Sequence, residues 1–448
     1  MNRTLISELT DNVGKTVSIS GWVNVRRDHG KLIFLDIRDR SGSVQAVATP
    51  KQEEALKVAE ILRPEWVIQA TGEVKERPEN MRKEGTNGNL ELSLESINVL
   101  SEAAELPFDM DADLNLDTLL DHRPLTLRAQ RARDIFSLQA TLVQEYRWAL
   151  ITRGFAEFQA PALTGEDAEG GAAVFKVDYF DNKKAYLATS PQLYKEIMSG
   201  AFERVFTIAR IFRAEKSATT RHLSEVTQMD FEMCFIKDFH DVTETLEAVV
   251  RDVCTAVVER HSDVFERFGV EKPLLPKESI PYLRLSEAQE IIEKEFGGKA
   301  VGEPDLEPEH ERQICEWAKR EKGSDFVFIT HFPLHKRAFY THPDQEDPEN
   351  TEVSSGFDLL FRGLEINSGS QRFHNYEQIV DTLKSRGLDP EKFAFYLQLH
   401  KYGVPPHGGC STGLERFTAR MLEIANVKEA TAFPRDMNRI DVRLSADE

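Results

Sequence analysis

The chain has 448 residues, 40% hydrophobic and 29% charged, enough for two or three domains with a sizeable core and too apolar for a disordered chain. No run approaches 18 apolar residues, which excludes a membrane-spanning helix, and the polar start Met1–Lys15 lacks the apolar h-region of a secretory leader. The net charge of -20 argues, taken alone, against a nucleic-acid partner, because a polyanion repels an acidic protein.

The charge is unevenly spread. Residues 1–100 carry 14 lysines and arginines against 15 acids, so the acid lies downstream and local basic clusters keep a nucleic-acid contact open. Short β-type runs dominate this stretch. In Thr16–Val25, Val17 and Ile19 alternate with Ser18 and Ser20. Leu32–Arg38 puts Ile33, Leu35 and Ile37 on one face, and Ser43–Val47 follows the turn at 39–42. A helix over Lys51–Leu62 is predicted from Ala55, Val58, Ile61 and Leu62. Two more strands, Glu65–Val74 and Leu90–Leu100, complete the element order of an OB-fold barrel. If Ile33, Leu35 and Ile37 fill that barrel, Phe34, Asp36 and Arg38 point outward. Phe34 amid Arg26, Arg27, Lys31 and Arg38 then makes a stacking platform for single-stranded bases. The ordinary alternative, a satellite apolar contact with solvated charges around it, is at least as good on these residues alone.

Ser101–Asp121 is acidic and proline-interrupted and reads as a hinge. The body, 122–448, mixes helices and strands. Leu127–Arg153 is a predicted long helix ended by Gly154. Strand-like runs follow at Phe155–Phe158, Val174–Tyr179, Lys184–Leu187, Arg204–Phe212 and Val226–Phe235. An acidic helical stretch, Asp238 to about Lys322, precedes a last set that includes Asp325–His331, Gly356–Ile366 and a helix near Leu414–Leu422. Successive strands with helices grouped elsewhere predict an α+β domain on an antiparallel sheet. Cys234, Cys254, Cys315 and Cys410 are spaced too widely for zinc pairs, and they read as reduced core thiols of a cytoplasmic protein.

No GxGxxG or GxxxxGK[ST] run is present, so Rossmann and P-loop sites are not indicated. Instead, charged residues interrupt apolar strands in Ile211-Phe212-Arg213-Ala214-Glu215, in 363–372 and in Gly413-Leu414-Glu415-Arg416. One such residue is best read as a structural ion pair. Three segments that each combine Arg and Glu point to a site for a charged substrate.

On these segments the chain resembles the class II aminoacyl-tRNA synthetases, specifically the archaeal-type aspartyl-tRNA synthetases, over essentially its whole length. Residues 154–161 look like motif 1, which builds the family's dimer interface. Phe212–Glu215 with Thr220–Leu223 and Asp230–Glu232 looks like motif 2, and Gly413–Arg416 like the end of motif 3. The resemblance implies an anticodon-binding OB-fold over 1–102, a hinge over 103–121, and a catalytic domain over 122–448 with a helical insertion at about 238–322. It implies an aspartate–tRNA ligase that uses ATP and Mg²⁺ and charges tRNA(Asp) as a homodimer.

The implied roles fall on residues of this sequence. Arg213, Glu365 and Arg416 are the catalytic candidates. Arg213 would meet the α-phosphate and the aspartate carboxylate, Arg221 and His222 the outer phosphates, and Arg416 the adenine as a planar cation. Glu215 would help place the adenine, and Ala214, Leu223, Gly413, Leu414 and Glu415 complete the ATP segments. Glu365 and Ser368 are hard oxygen donors for Mg²⁺, with Ser368 also near the amino acid. Lys195 and Arg372 would neutralise the substrate side chain, while Glu169, Gln192 and Asp230 suit its α-ammonium. Two cations disfavour asparagine and exclude lysine. Phe34 becomes the anticodon platform, with Gln45 and Arg26 beside it.

Some positions depart from the family pattern. Ser411 stands where motif 3 usually has glycine, and Val226 and Thr227 stand where an aromatic often stacks on the adenine. Asn24 replaces an aromatic tied to anticodon discrimination, which leaves open a relaxed enzyme that also charges tRNA(Asn). Rival readings are an asparaginyl enzyme, a derived asparagine synthetase, and an inactive RNA-binding paralogue. Lys195, the retained barrel, and the presence of Arg213, Glu365 and Arg416 argue against them in turn. His331 and His335 read as structural, the acids of 344–349 as a solvated loop, and 441–448 as a solvated tail.

Overall fold

The computed structural model describes residues 2–82, 87–110, 112–165, 173–216, 219–344 and 352–444. The chain divides into two units, Met1–Ala112 and Asp113–Glu448. No described helix is long and apolar enough to cross a membrane.

The first unit is a closed five-stranded barrel. Its strands are β1 (Thr16–Asp28), β2 (Ile33–Asp39), β3 (Gly42–Ala48), β4 (Val67–Glu76) and β5 (Leu90–Ser101), in the order β1-β2-β3-β5-β4, with helix α1 (Glu53–Ile61) between β3 and β4. Alternation fills it. Val17, Ile19, Ile33, Leu35, Ile37, Val44, Ala46, Ile68, Ala70, Leu92 and Leu94 all lie in one core. The expected order of three strands, a helix and two strands is what the chain adopts.

The second unit begins with α2 (Leu116–Asp121), α3 (Arg123–Thr126) and the long α4 (Gln130–Ile151). Gly154, at φ +80°, turns the chain out of α4, a conformation that costs a residue with a Cβ. Then come β6 (Ala156–Glu157), β7 (Leu163–Thr164), β8 (Lys176–Tyr179), β9 (Lys183–Leu187), α5 (Gln192–Phe202), β10 (Arg204–Phe212) and β11 (Glu225–Cys234). The helical stretch contains α6 (Phe239–Arg260), α7 (Ser262–Phe268), β12 (Tyr282–Arg284), α8 (Leu285–Phe296) and α9 (Pro308–Lys322). The chain closes with β13 (Phe326–Thr330), β14 (Gly356–Phe361), β15 (Leu364–Gln371), α10 (Tyr376–Ser385), α11 (Ala394–Lys401), β16 (His407–Gly413) and α12 (Leu414–Met421).

Eight of these strands form one sheet, ordered β12-β13-β14-β15-β16-β11-β10-β6, and β7, β9 and β8 form a small second one. The large sheet is antiparallel through its middle, as expected, but both edges differ: β6 pairs parallel with β10, and β12 with β13. Helices α4 and α6 cover one face, where Leu138, Leu142, Leu246 and Val250 share a core with Phe231, Phe328 and Phe357. That leaves the opposite face for the polar residues of the same strands. All four cysteines are buried and unpaired.

Three expectations change. Arg38 does not reach solvent: it keeps the outer face of β2 with Phe34 and Asp36, but Glu65 at 2.6 Å and the Trp22 ring at 5.6 Å bury it there. Asp344 is buried as well and lies 3.6 Å from His331, so it belongs to no solvated loop; residues 345–349 of that acidic run are outside the described residues. The hinge is partly helical, since α2 lies within it.

Candidate functional site

Period-two alternation along β11 sends Met229, Phe231 and Met233 to the helix-covered core and Asp230 and Glu232 to the other face. Register then builds rows. Asp358 on β14 sits opposite Ser368 on β15, Ser368 opposite Ser411 on β16, and Ser411 opposite Asp230 on β11. One step along, Ser370, Gly409 and Glu232 are aligned. Gly409 is required there, since a Cβ would come within 2.2 Å of Glu232 Oε2. Ser411 lies on the extended strand β16 and needs no positive φ.

The two candidate side-chain cations are held on this face, both almost wholly buried. Lys195, from α5, donates to Asp230 Oδ2 at 3.0 Å and to the Cys410 carbonyl at 3.2 Å, with Glu232 at 3.5 Å. Arg372, just past β15, forks onto Glu232 (Nε to Oε1 at 2.9 Å, Nη2 to Oε2 at 3.2 Å). It also donates to Ser370 Oγ at 2.5 Å, to the Gly409 carbonyl at 2.9 Å and to Gln192 Oε1 at 3.5 Å. Burial works against the Arg372 charge, and Glu232 more than restores it. The expected doubly positive lining is therefore already matched by two carboxylates. A cation removed from water is held only if it is paired, so the unliganded pocket carries its own counter-ions.

A second cluster forms at the other end of the face. Arg416, from α12, donates to the Glu365 carbonyl at 3.1 Å and to its Oε2 at 3.2 Å. Arg337 donates to Ser368 Oγ at 3.2 Å and pairs with Asp358 at 2.9 Å. Burial pushes the Asp358 carboxyl up to about 7 against the pull of Arg337, with Glu365 adding to the rise. Between Leu359 and Leu360 the register slips by one residue, so Asn367 and Glu365 oppose consecutive β14 residues. That bulge turns Glu365 and Ser368, three apart, to the same face, where regular alternation would oppose them.

The β10–β11 connection supplies the rest. Among the described residues none pairs with the half-buried Arg213 guanidinium. His222 lies by Thr219, and burial together with Arg416, Arg221 and Arg213 lowers its pKa. Arg221 is held by Glu311 of α9 at 2.9 Å and by the Gly363 carbonyl, so α9 of the helical stretch reaches the site. Glu215 is exposed.

Gln192, Lys195, Asp230 and Arg372 thus form one hydrogen-bonded group through Glu232, while Arg416 with Glu365 and Arg337 with Ser368 and Asp358 are two separate sets. Leu223 and Leu414 are core residues, which leaves only their backbones for a ligand. Glu415 is turned inward onto the Thr227 amide at 3.0 and 3.1 Å, and burial raises its pKa. Ala214 is half-buried, and Gly413 has room for a Cβ, with Arg416 at 3.8 Å. Glu169 lies outside the described residues. Sequence reasoning missed Glu232, Glu196, Arg337 and Asp358. The signal for Glu232 was available: two acids two apart on an otherwise apolar strand share a face.

On the barrel, Phe34 is half-buried with its ring edge-on to His29 at 5.3 Å. Arg27 forks onto Asp36 at 2.7 and 2.8 Å, and Asp36 lies opposite Gln45. Arg26 turns to the Ala59 carbonyl and Asp28. Asn24 is exposed at the β1 bulge.

Known proteins share this arrangement along its whole length. A family model described as OB-fold nucleic acid binding domain matches residues 17–100. The chain is 40% identical to the Aspartate--tRNA(Asp/Asn) ligase of Deinococcus radiodurans, covering 98% of this chain and 99% of that one. It is 41% identical to the enzyme of the same name from Thermus thermophilus, with the same coverage. Among solved structures, asparaginyl-tRNA synthetase from Pyrococcus horikoshii with asparaginyl-adenylate superposes with a TM-score of 0.88 at 31% identity, covering 98% and 99% of the two chains. The model for tRNA synthetases class II (D, K and N) matches residues 115–437, which hold every strand of the large sheet and both charged clusters, and the chain belongs to that family.

Proposed function

We propose that the protein is an aspartate–tRNA ligase: it activates L-aspartate with ATP and transfers it to the 3′ end of tRNA(Asp) and of tRNA(Asn), as a homodimer. The observation that carries the choice of amino acid is the buried Lys195–Arg372 pair. A substrate carboxylate entering there offers charge to both cations, and Asp230 and Glu232 then turn to the α-ammonium. Asparagine brings a neutral amide and leaves a buried cation short of charge, and lysine adds a third cation.

The Arg213 guanidinium, which lies with Arg221 and Arg416 around His222 and pairs with none of the described residues, is suited to the carboxylate and α-phosphate together. In the first step the aspartate α-carboxylate attacks the α-phosphorus and pyrophosphate leaves. In the second, a hydroxyl of the terminal tRNA ribose attacks the mixed anhydride and AMP leaves. No protein nucleophile is needed, and Arg213 and Arg416 act by holding the reactants and the charge that develops. The Glu365 carboxylate and Ser368 hydroxyl, with the Asp358 carboxyl beside them, are the hard oxygen donors that Mg²⁺ prefers. When bound, the ion would supply Lewis-acid stabilisation of phosphate charge.

Extension to tRNA(Asn) is supported by the exposed Asn24 at the barrel bulge and by the names of the Deinococcus and Thermus relatives. The test is pyrophosphate–ATP exchange with each amino acid, then charging of both tRNAs. Aspartate should support exchange and asparagine should not, and both tRNAs should accept aspartate. Arg213→Ala should cut exchange by about 10²–10³-fold, as loss of one oriented donor to a charged transition state does. Exchange driven by asparagine, or unchanged in Arg213→Ala, overturns the reading.

A further inference from the structure

The residue after Lys195 is an acid that no step above uses. Glu196 is wholly buried on α5. Its Oε1 accepts from Gln192 Nε2 at 2.6 Å, and its Oε2 accepts from Tyr396 at 2.6 Å and from His407 Nε2 at 3.2 Å. Charged and titratable groups facing it from neighbouring elements include His400 of α11 and Arg372.

The two arms converge. A carboxylate only accepts, so it fixes the Gln192 amide with its NH₂ toward Glu196 and its carbonyl toward the pocket, 3.5 Å from Arg372 Nη2. His407 opens β16, and two residues on the Gly409 carbonyl accepts from the same Nη2 at 2.9 Å. Glu196 touches no atom of Arg372, yet it holds one partner of that nitrogen directly and anchors the strand that carries the other.

We propose that Glu196 is a positioning residue for aspartate: through Gln192 and His407 it sets the orientation of the Arg372 guanidinium. A glutamine at 196 has the same shape but can donate as well as accept, so the Gln192 amide is free to flip and present its NH₂ to Arg372, which repels it.

The inference rests on the aspartate pocket proposed above, and the assay separates the two. In pyrophosphate–ATP exchange, Glu196→Gln should raise the KM for aspartate by about tenfold or more, with the KM for ATP and kcat at saturating aspartate within about twofold of wild type. Tyr396→Phe removes a hydrogen bond to Glu196 without touching either arm and should leave the KM for aspartate unchanged. If Glu196→Gln does not fold, Glu196→Asp, which retracts the carboxylate from both arms, carries the same test. An unaltered KM for aspartate, or a parallel rise in both KM values, overturns the positioning role. Wild-type protein without aspartate-dependent exchange overturns the pocket itself.

Discussion

Three carboxylates surround the Lys195–Arg372 pair, and Glu196 differs from the other two in touching neither cation. Burial alone pushes the Glu196 carboxyl up, but His407, Arg372 and Gln192 together outweigh it and bring it down to about 2. A carboxyl whose folded value lies below its ordinary one stabilises the fold above that ordinary value, near 4.5, and loses the contribution as pH falls toward about 2. The shift is worth at most about 3.5 kcal/mol at about 1.4 kcal/mol per unit. Chemical denaturation of wild type and Glu196→Gln should therefore show a gap of that order at pH 6, narrowing between pH 4.5 and 2.5. A gap that stays constant with pH would remove the charge contribution of Glu196 and leave only its hydrogen-bond pattern.

At the scale of elements, β1 and β2 carry the argument for RNA. Alternation puts Phe34 and Asp36 on the outer face of β2, and Arg27 covers Asp36, so the cation is partly spent while the aromatic edge is left half open. A base stacked on Phe34 gains about 1–3 kcal/mol. Phe34→Ala should thus lower kcat/KM for tRNA charging by about 5- to 150-fold and leave aspartate-dependent pyrophosphate exchange unchanged. Equal loss in both assays would make Phe34 a packing residue. The same strands mark what the sequence conveys. Ile33, Leu35 and Ile37 announce the barrel through period two, and β10 falls on Arg204–Phe212 as the apolar run suggests. Arg38 sits on the face that period two gives it, but its burial could not be read that way, because Glu65 and Trp22, which cover it, come from elsewhere in the chain. The bulge by Leu359 makes neighbours of Glu365 and Ser368. Lys195, Asp230, Glu232 and Arg372 come from segments far apart in the chain. Their mutual pairing depends on strand order in the sheet, which no local pattern encodes.

For the whole molecule, the open question is how many chains act together, and α4 supplies the handle. Its buried stripe, Ile135, Leu138, Leu142, Tyr146 and Leu150, packs on the sheet. Beside that stripe a shallow groove is lined by Phe136, Ala140, Val143, Trp148, Ile151 and Leu414 together with Gln139, Gln144 and Arg147, and Trp148 is 62% and Ile151 48% exposed. A tryptophan and an isoleucine open to water on one helix mark a surface suited to a partner. The strand that follows, β6, is a two-residue edge of the large sheet, so the sheet ends beside this helix. A second copy presenting the same helix would cover these side chains by two-fold symmetry, which makes the contact self-complementary. Sedimentation velocity of wild type should give twice the 51.0 kDa chain mass. Trp148→Glu would place like charges across the axis and bury them unpaired, so it should sediment as a single chain while keeping the helical circular dichroism of the wild type. A Trp148→Glu protein that remains a dimer would move the interface off α4, and a wild type that sediments as one chain would remove it.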